Sequence, residues 1–412
     1  MVACGLRKLE ISPLVRIFPF YFNDVYFILM NYRPAPLGKV YNYLMTKSKL
    51  FGKVKRLLFL LAPQQWRLNL LQWNIKTRYK SPPLVFPWKG VAMKKVLAIL
   101  PEEPVEAFHQ INNYLRISAL FKNATFTIFC TQKVGPYFQQ VHPQATFIEY
   151  DREARGLFSG EFDAWGNEFN KEEFDVCLLL ERCPDVSLLY LAGKTAAPVR
   201  AGYYGAGDYP FINMHVNPSP KRPYRAEQNA LMAHVFGAPD GIKMNWSVSK
   251  ETIEEIKHMA RELNISPSSR IVVVDVGLFF TDFGPEWTQH LCTALKATKG
   301  YACCLYIEGE PIDALSEFVS SMQFPVFSNL TASRCAALIV RSACIISGKS
   351  VIFELSHLLQ KPVIGVFEKD LLSRYCQQSV LTKGIAYSAL PDKATIHSIV
   401  GLVSAMDGAE KT

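Results

Sequence analysis

A short turn of small and basic residues offers the clearest chemistry in the sequence. The turn Ser347–Ser350 (SGKS) follows the apolar strand pattern at 343–347 and precedes the helical pattern at 351–360. A strand that ends where a helix begins presents free backbone N–H groups and the positive end of the helix dipole, and together these bind phosphate. The sequence therefore predicts a phosphate-binding site at this turn.

This turn is not a Walker A loop, although Gly348, Lys349 and Ser350 follow the order of that motif. A Walker A loop needs a glycine five residues before Gly348, and Ala343 stands there. The prediction therefore rests on the strand-to-helix junction and does not assign the protein to the P-loop NTPases.

Strand and helix patterns alternate along most of the chain around this turn. Apolar runs typical of buried strands lie at 94–100, 125–130, 145–149, 175–180, 270–276, 301–307, 343–347 and 362–367. Helical patterns lie at 105–121, 184–194, 223–236, 250–263, 285–297, 311–322, 331–341 and 351–360. Apolar strands that alternate with helices indicate parallel, doubly wound sheets, so the predicted fold class is α/β.

A polar stretch rich in proline, glycine and serine, at 238–269, separates two such α/β series. We predict a basic, aromatic-rich and mainly helical N-terminal extension, an N-terminal Rossmann-like domain, a linker with one helix inside it, and a C-terminal Rossmann-like domain. The predicted bounds are 1–90, 91–240, 241–269 and 270–412. In such domain pairs the ligand binds in the cleft outside the carboxyl ends of both sheets.

Composition indicates a folded protein of several domains. The chain has 412 residues, of which 49% are hydrophobic and 20% charged, and these values are ordinary for globular proteins. Its ten cysteines are scattered, and none forms a CxxC pair or a Cys/His cluster with zinc spacing. We therefore expect free thiols in a reducing compartment, and hence a cytoplasmic protein without a metal site.

Positive charge is concentrated in the first 90 residues. They hold 15 lysines and arginines against only Glu10 and Asp24, whereas the whole chain has a net charge of +9. The apolar stretches there are interrupted, so we expect no membrane span and no secretory signal peptide. The basic and aromatic residues fit a segment that lies on an anionic membrane surface, or helices that pack on the catalytic domains with a basic face in solvent. No recognition motif supports nucleic-acid binding.

Over residues 94–412 the order of several motifs resembles the heptosyltransferase-type glycosyltransferases (glycosyltransferase family 9), which have the GT-B fold. Each motif is weak alone, and it is their order that carries the resemblance. The matching segments are Lys95–Ile99, Val105–His109, Phe174–Leu180, Leu188–Gly193, Arg200–Tyr203, Arg225–Leu231, Pro285–Trp287 and Ile307–Glu310.

The resemblance implies transfer of a heptose-like sugar from a nucleotide-diphosphate sugar, ADP-linked in this family, to a hydroxyl of a lipopolysaccharide-type or other glycan acceptor. It also implies inversion at the anomeric carbon without a metal ion or a cofactor. Glu106 aligns with the family's catalytic aspartate, and its extra methylene would move the carboxylate by about 1.5 Å. Glu102 and Glu103 compete for this role, and all three acidic residues also fit a solvated loop.

The same resemblance assigns binding residues to each substrate. His109 and Arg200 are predicted on the acceptor side. The predicted residues on the side of the sugar donor are Gly277, Glu308, Ser347, Gly348, Lys349, Ser350 and Glu354.

The chain also departs from the family pattern at the phosphate turn. Where relatives have Asp-(Ser/Thr)-Gly-Pro-x-His, this chain places Lys349, Val351 and Glu354 at the Asp, Gly and His positions. Without that glycine the backbone approaches phosphate less closely, but Lys349 can add a point charge on the diphosphate. Ser350 could cap the helix or bind a phosphate oxygen, and Glu354 could bind a sugar hydroxyl.

Two functions of different class remain open. The first is an active glycosyltransferase, cytoplasmic or peripheral on the inner membrane, with an altered preference for the sugar donor. The second is a catalytically degenerate scaffold or binding protein at the membrane surface. The retained Glu106 and the anion site at the helix terminus favour the first function, and the altered phosphate turn favours the second.

Overall fold

The computed structural model describes residues 64–79, 93–151, 159–203, 205, 209–217, 224–239, 246–387 and 391–409. By its internal contacts the chain divides into two compact units, Met1–Trp73 and Asn74–Thr412. Of the first unit, the described part is the start of helix α1 (Gln64–Arg78). Most of the predicted N-terminal extension therefore lies outside the described residues, and its mainly helical character stays a prediction.

Six strands build the first sheet. They are β1 (Lys95–Ile99), β2 (Thr125–Thr131), β3 (Thr146–Tyr150), β4 (Val176–Leu179), β5 (Val199–Tyr203) and β6 (Met214–Val216). The helices of this half are α2 (Pro104–Leu120), α3 (Gly135–Val141), α4 (Gly160–Lys171), α5 (Val186–Lys194) and α6 (Arg225–Val235). The strand order is β3-β2-β1-β4-β5-β6, and every described pairing is parallel. Strands β1 and β4 are apolar and buried, as expected for the centre of a parallel sheet.

The second half has the same design. Helix α7 (Lys250–Glu262) precedes its sheet, whose strands are β7 (Arg270–Asp275), β8 (Tyr301–Ile307), β9 (Val326–Ser328), β10 (Cys344–Ser347), β11 (Val363–Glu368) and β12 (Thr382–Tyr387). The other helices are α8 (Val276–Phe283), α9 (Pro285–Lys296), α10 (Asp313–Met322), α11 (Ala332–Arg341), α12 (Val351–Leu358), α13 (Lys369–Tyr375) and α14 (Lys393–Ala409). The strand order is β12-β11-β10-β7-β8-β9, again with parallel pairing.

Both orders are the one typical of a doubly wound nucleotide-binding sheet, so the predicted α/β fold class is confirmed. Every strand and helix named in the sequence analysis is present, with small differences at the ends. The domain bounds at 90, 240 and 269 stay predictions.

Several elements of the structure were not predicted from the sequence, and their composition explains why. Strands β6 and β9 have only three residues each, too few for a recognisable alternation. Helix α8 (VGLFFTDF) is apolar on most sides and shows no helical period. Strand β12 (TKGIAY) contains a lysine and a glycine, as expected at the edge of a sheet. The other unpredicted elements are α3, α4, β5, α13 and α14.

Each sheet has one point where the strand order reverses, between β1 and β4 in the first sheet and between β7 and β10 in the second. Such points leave a crevice at the carboxyl ends of the strands. Both sheets lie in the second compact unit, and one cluster of buried apolar side chains contains members from both, including Ile111 of α2 and Leu355 of α12. None of the described helices is long and apolar enough to cross a membrane.

Candidate functional site

Charged residues lie at the reversal points of both sheets. In the first sheet, Glu106 follows the carboxyl end of β1, and Glu181 and Arg182 follow β4. In the second sheet, Asp275 ends β7 and Ser347 ends β10. Side chains from the two points contact one another, so they form a single candidate site.

Glu106 lies in the first turn of α2, whose start is fixed by Glu103 and Pro104. The Glu103 carboxylate accepts hydrogen bonds from the backbone N–H groups of Val105 and Glu106, and Pro104 occupies the first turn, where its missing N–H costs nothing. The Glu106 side chain is 19% exposed, and its Oε2 atom lies 3.9 Å from Nε of Arg225 at the start of α6. Its Oε1 atom accepts a hydrogen bond of 2.6 Å from the hydroxyl of Tyr375.

The two competing acidic residues have other partners. Glu102 accepts a hydrogen bond of 3.2 Å from the hydroxyl of Tyr150. Glu103 caps α2, and its Oε2 atom lies 3.6 Å from Nζ of Lys349. Of the three carboxylates, the one at Glu106 therefore lies between a tyrosine and an arginine. Glu102 is bonded to Tyr150, and Glu103 both caps α2 and contacts Lys349.

The residues after β4 complete the first reversal point. Burial is the main cause that raises the pKa of Glu181, and the Glu106 carboxylate adds to it. Burial and the nearby Arg225 lower the pKa of Arg182, whose guanidinium donates a short hydrogen bond to Gln228 of α6. Two arginines and two carboxylates thus lie close together here.

In the second sheet the predicted phosphate turn is held by buried hydroxyl groups. Ser347 donates a hydrogen bond of 2.7 Å to the Asp275 carboxylate, and its hydroxyl is 2.6 Å from that of Ser350. Ser350 caps α12, because its Oγ accepts from the backbone N–H of Phe353. Burial raises the pKa of Asp275, although its hydrogen bonds act in the opposite direction. The hydroxyl of Ser347 is committed to the protein, which leaves backbone N–H groups and Lys349 for a phosphate.

Gly348 is required at this turn by close packing. A β-carbon at this position would lie 2.8 Å from Leu278 Cδ2 and 2.9 Å from the carbonyl oxygen of Val366. Since one of these contacts is with backbone, the neighbours cannot move aside cheaply. The glycine therefore lets β11 and α8 approach the turn.

Lys349 extends from the turn toward the first sheet. In addition to its contact with Glu103, its Nζ atom lies 5.1 Å from the centre of the Tyr375 ring. The side chain is 36% exposed, so its charge is accessible to a ligand. Lys349 is therefore the cationic group that the second domain places near Glu106.

Glu354, predicted on the sugar-donor side, and His109, predicted on the acceptor side, are paired with each other. The His109 Nε2 atom lies 2.9 Å from Glu354 Oε1, and the side chains are only 1% and 3% exposed. The contact is an ion pair without the alignment of a good hydrogen bond, and His109 Nδ1 has no hydrogen-bond partner in the described part of the chain. Burial lowers the pKa of His109, but the Glu354 carboxylate outweighs it, and the pKa is raised overall. Both side chains are buried in this pair, and their roles toward a sugar donor and an acceptor stay predictions.

Arg200 also has a structural role in place of the predicted acceptor contact. It lies near the start of β5, and its guanidinium donates hydrogen bonds of 2.6 to 2.8 Å to the carbonyl oxygens of Ala197, Pro210 and Phe211. These carbonyls precede β5 and β6, at the amino ends of the strands. The side chain is therefore buried at the opposite edge from Glu106.

Two further predicted residues lie at the second sheet. Gly277 is in the first turn of α8, where an added β-carbon would make ordinary contacts of 3.8 and 3.9 Å, so nothing in the structure requires glycine. Glu308 follows the carboxyl end of β8 and is exposed. The protein around its carboxyl group and the nearby Asp275 nevertheless raise the pKa of Glu308 to about 7.

Four residues of this site were not predicted from the sequence: Glu181, Arg182, Asp275 and Tyr375. Asp275 ends an apolar run, and an acidic residue at that place is a usable signal for a site at the strand end. Tyr375 gave no signal, because only the fold brings it to Glu106. Among the described residues, no group of three or more His, Cys, Asp or Glu side chains is placed to hold a metal ion.

Comparison with solved structures finds proteins of the same architecture. A glycosyl transferase of family 9 from Veillonella parvula DSM 2008 matches with a TM-score of 0.64 and 12% identity, over 80% of this chain and 99% of that one. The ADP-heptose lps heptosyltransferase II of E. coli matches with a TM-score of 0.63 and 14% identity, over 77% of this chain and 100% of that one. The E. coli heptosyltransferase WaaC with ADP-2-deoxy-2-fluoro heptose matches with a TM-score of 0.56 and 11% identity, over 74% of this chain and 99% of that one.

These matches confirm the predicted GT-B fold and the predicted resemblance to family 9 at the level of fold. No protein-family model and no curated protein matches the sequence.

Proposed function

We propose that this protein is a glycosyltransferase that uses a nucleotide-diphosphate sugar. The observation that carries the proposal is the contact between the two reversal points. Lys349, in the predicted phosphate turn, lies 3.6 Å from Glu103, and Glu103 caps the helix that carries Glu106. A cation and a carboxylate from opposite domains are thus close enough to act on one substrate pair.

In the proposed reaction Glu106 is the general base. It removes the proton of an acceptor hydroxyl, the hydroxyl oxygen attacks the anomeric carbon, and the bond from that carbon to the diphosphate oxygen breaks. Attack from the face opposite the leaving group inverts the anomeric centre. Lys349 and the N-terminus of α12 stabilise the negative charge that develops on the diphosphate. In the proposed mechanism no metal ion takes part.

The identity of the substrates is also proposed. A structural neighbour is named an ADP-heptose lps heptosyltransferase, which supports a heptose-like, ADP-linked sugar donor and a lipopolysaccharide-type or other cell-surface glycan acceptor. Gly277 and Glu308 remain proposed residues on the side of the sugar donor. The location that fits these substrates is the cytoplasm, with peripheral binding to the inner membrane through residues 1–90.

Calorimetry with ADP, GDP, UDP, CMP and an ADP-sugar tests the proposed sugar-donor site. We expect micromolar binding of one nucleotide and a loss of about tenfold or more in Lys349→Ala, because a charge-assisted contact to phosphate is removed. Lys299→Ala is the matched control, since Lys299 is exposed and precedes β8 at the amino edge of the sheet. A folded wild-type protein that binds none of these ligands contradicts the proposal.

The second candidate function is a catalytically degenerate scaffold or binding protein. The buried pair of His109 and Glu354 favours it, because two residues aligned with the family's site are committed to each other. Under this alternative, nucleotides do not bind and Glu106→Gln changes no turnover.

Flotation with anionic vesicles tests the membrane contact in the full chain. Replacing Lys53, Lys55 and Arg56 by glutamate should reduce recovery with the vesicles if this segment binds lipid, because basic residues near an anionic surface each favour binding. The control replaces the exposed Lys122, Lys299 and Lys393 by glutamate. Equal recovery of the two triple variants would exclude residues 53–56 as the lipid contact.

A further inference from the structure

Tyr375 is a buried tyrosine at the end of α13 that belongs to no motif of the sequence. It is 5% exposed, and its ring lies 5.4 Å from that of His109, measured between centres. Its hydroxyl donates the hydrogen bond of 2.6 Å to Oε1 of Glu106. Tyr375 follows β11 in the second domain and Glu106 follows β1 in the first, so this bond crosses between the domains.

We infer that Tyr375 is a positioning residue for Glu106, and that it holds the carboxylate in place for proton transfer. This inference rests on the proposed function, in which Glu106 is the general base. The tyrosine itself does not touch the reacting atoms.

The Glu106 carboxylate depends on this bond for its orientation. Its other oxygen is 3.9 Å from Arg225 Nε, which is too long for a hydrogen bond, and that Nε has no hydrogen-bond partner among the described residues. Glutamate also has more rotatable bonds than aspartate, and fixing them costs conformational entropy. A short bond from a buried hydroxyl offsets this freedom and leaves Oε2 to accept a proton.

The ring and the hydroxyl of Tyr375 have separable roles. The ring packs beside His109, and Nζ of Lys349 lies over its face, 5.1 Å from the ring centre. A phenylalanine would keep both contacts. Only the hydroxyl reaches Glu106. Burial, followed by the hydrogen bond to Glu106, raises the pKa of Tyr375, so the hydroxyl stays protonated and remains a donor through the neutral range.

Tyr375→Phe is the direct test, with Tyr306→Phe as the matched control. Tyr306 is also buried in the second domain, and its hydroxyl lies 3.8 Å from Cys335 Sγ, which is a local contact. The measured reaction is steady-state release of nucleoside diphosphate from the nucleotide sugar that calorimetry identifies, with water as the acceptor. This assay needs no knowledge of the natural acceptor.

For Tyr375→Phe we expect kcat to fall by about tenfold or more, because a hydrogen bond to a charged group is lost. The KM for the nucleotide sugar should stay within about twofold, since the phosphate contacts are unchanged. A fall in kcat without a rise in KM is the result that separates positioning of the reacting groups from binding of the sugar donor. Tyr306→Phe should leave kcat and KM as in the wild type.

The outcomes separate this inference from the proposed function. If the wild type binds a nucleotide and Tyr375→Phe changes neither kcat nor KM, positioning by Tyr375 is wrong and the proposed function stands. A rise in KM with kcat unchanged makes Tyr375 a binding residue and also overturns the inference. If the folded wild type binds no nucleotide, the proposed function and this inference both fail. Non-additive losses of stability in Tyr375→Phe and Glu106→Gln would then show that the hydrogen bond between the domains is structural.

Discussion

His109 and Glu354 form a buried ion pair that joins helix α2 of the first domain to helix α12 of the second, with 2.9 Å between Nε2 and Oε1. Each residue lies near the N-terminus of its helix, beside the proposed site. The pair therefore fixes how these two helices face each other. Removing charges from water is costly, and the pair is therefore sensitive to loss of either member.

We expect Glu354→Leu to lower the free energy of unfolding by about 3 kcal/mol, because it leaves His109 buried without its carboxylate. The double variant with His109→Leu should lose less than the sum of the two single losses, by about 1 kcal/mol or more. Urea unfolding of the four proteins measures this. Lys95 and Glu172 form the control pair, at 3.0 Å but 46% and 51% exposed, and their coupling should stay below about 1 kcal/mol. Equal coupling in both pairs would contradict the buried character of the first.

The same ion pair predicts a dependence of stability on pH. The folded-state pKa of His109 is raised, so its contribution is fully present below the unfolded value of about 6.5 and is lost as the pH rises through the folded value. The stability difference between wild type and the double variant His109→Leu, Glu354→Leu should therefore shrink on going from about pH 6 toward pH 9. Thermal unfolding at several pH values measures this difference, and a difference that grows with pH would show that His109 is neutral in the folded state.

Glu106→Gln should reduce turnover of the nucleotide sugar by about 10²- to 10⁴-fold, because an amide cannot accept the proton of the attacking hydroxyl. Nucleotide affinity should not change, since the phosphate turn lies on the other domain. Glu102→Gln provides the comparison, because Glu102 competed for the same role and bonds to Tyr150. A larger loss in Glu102→Gln than in Glu106→Gln would transfer the base assignment.

Gly348→Ala should lower the free energy of unfolding by about 1–3 kcal/mol, because its β-carbon would press on Leu278 and on the carbonyl of Val366. Gly160→Ala is the matched control, since it starts helix α4 and an added β-carbon there meets nothing within 4 Å. Thermal unfolding of both variants measures the effect. Equal stability of the two variants would show that the turn accommodates a β-carbon at position 348, contrary to the close packing described above.

The sequence was sufficient to predict the sheets because their strands are apolar runs broken by helical patterns. The run RIVVVD of β7 can be identified without any structure, and so can the small residues of the turn after β10. Contacts between side chains of different domains could not be predicted. His109 and Glu354 are far apart in the chain, and nothing in the sequence indicates that they contact each other. Arg200 was misplaced for the same reason, since its three carbonyl partners come from loops with no pattern of their own.

Asp275 has a carboxylate that is buried beneath the phosphate turn. Its pKa is raised, so between the unfolded and folded values the folded protein binds more protons, and stability falls as the pH rises through that window. Asp275→Asn cannot ionise and removes this loss. Its oxygen can still accept from the backbone N–H of Leu278, and its amide can donate to Ser347.

Relative to wild type, the free energy of unfolding of Asp275→Asn should therefore increase as the pH rises from about 4 to about 7.5, which urea unfolding at each pH measures. Asp185→Asn makes the same change at an exposed residue that caps α5, and it should show no such increase. If the free energy of unfolding of Asp275→Asn relative to wild type instead falls as the pH rises, the carboxylate is ionised in the folded protein. The site beneath the phosphate turn would then carry a fixed negative charge, which opposes a diphosphate and favours the scaffold function.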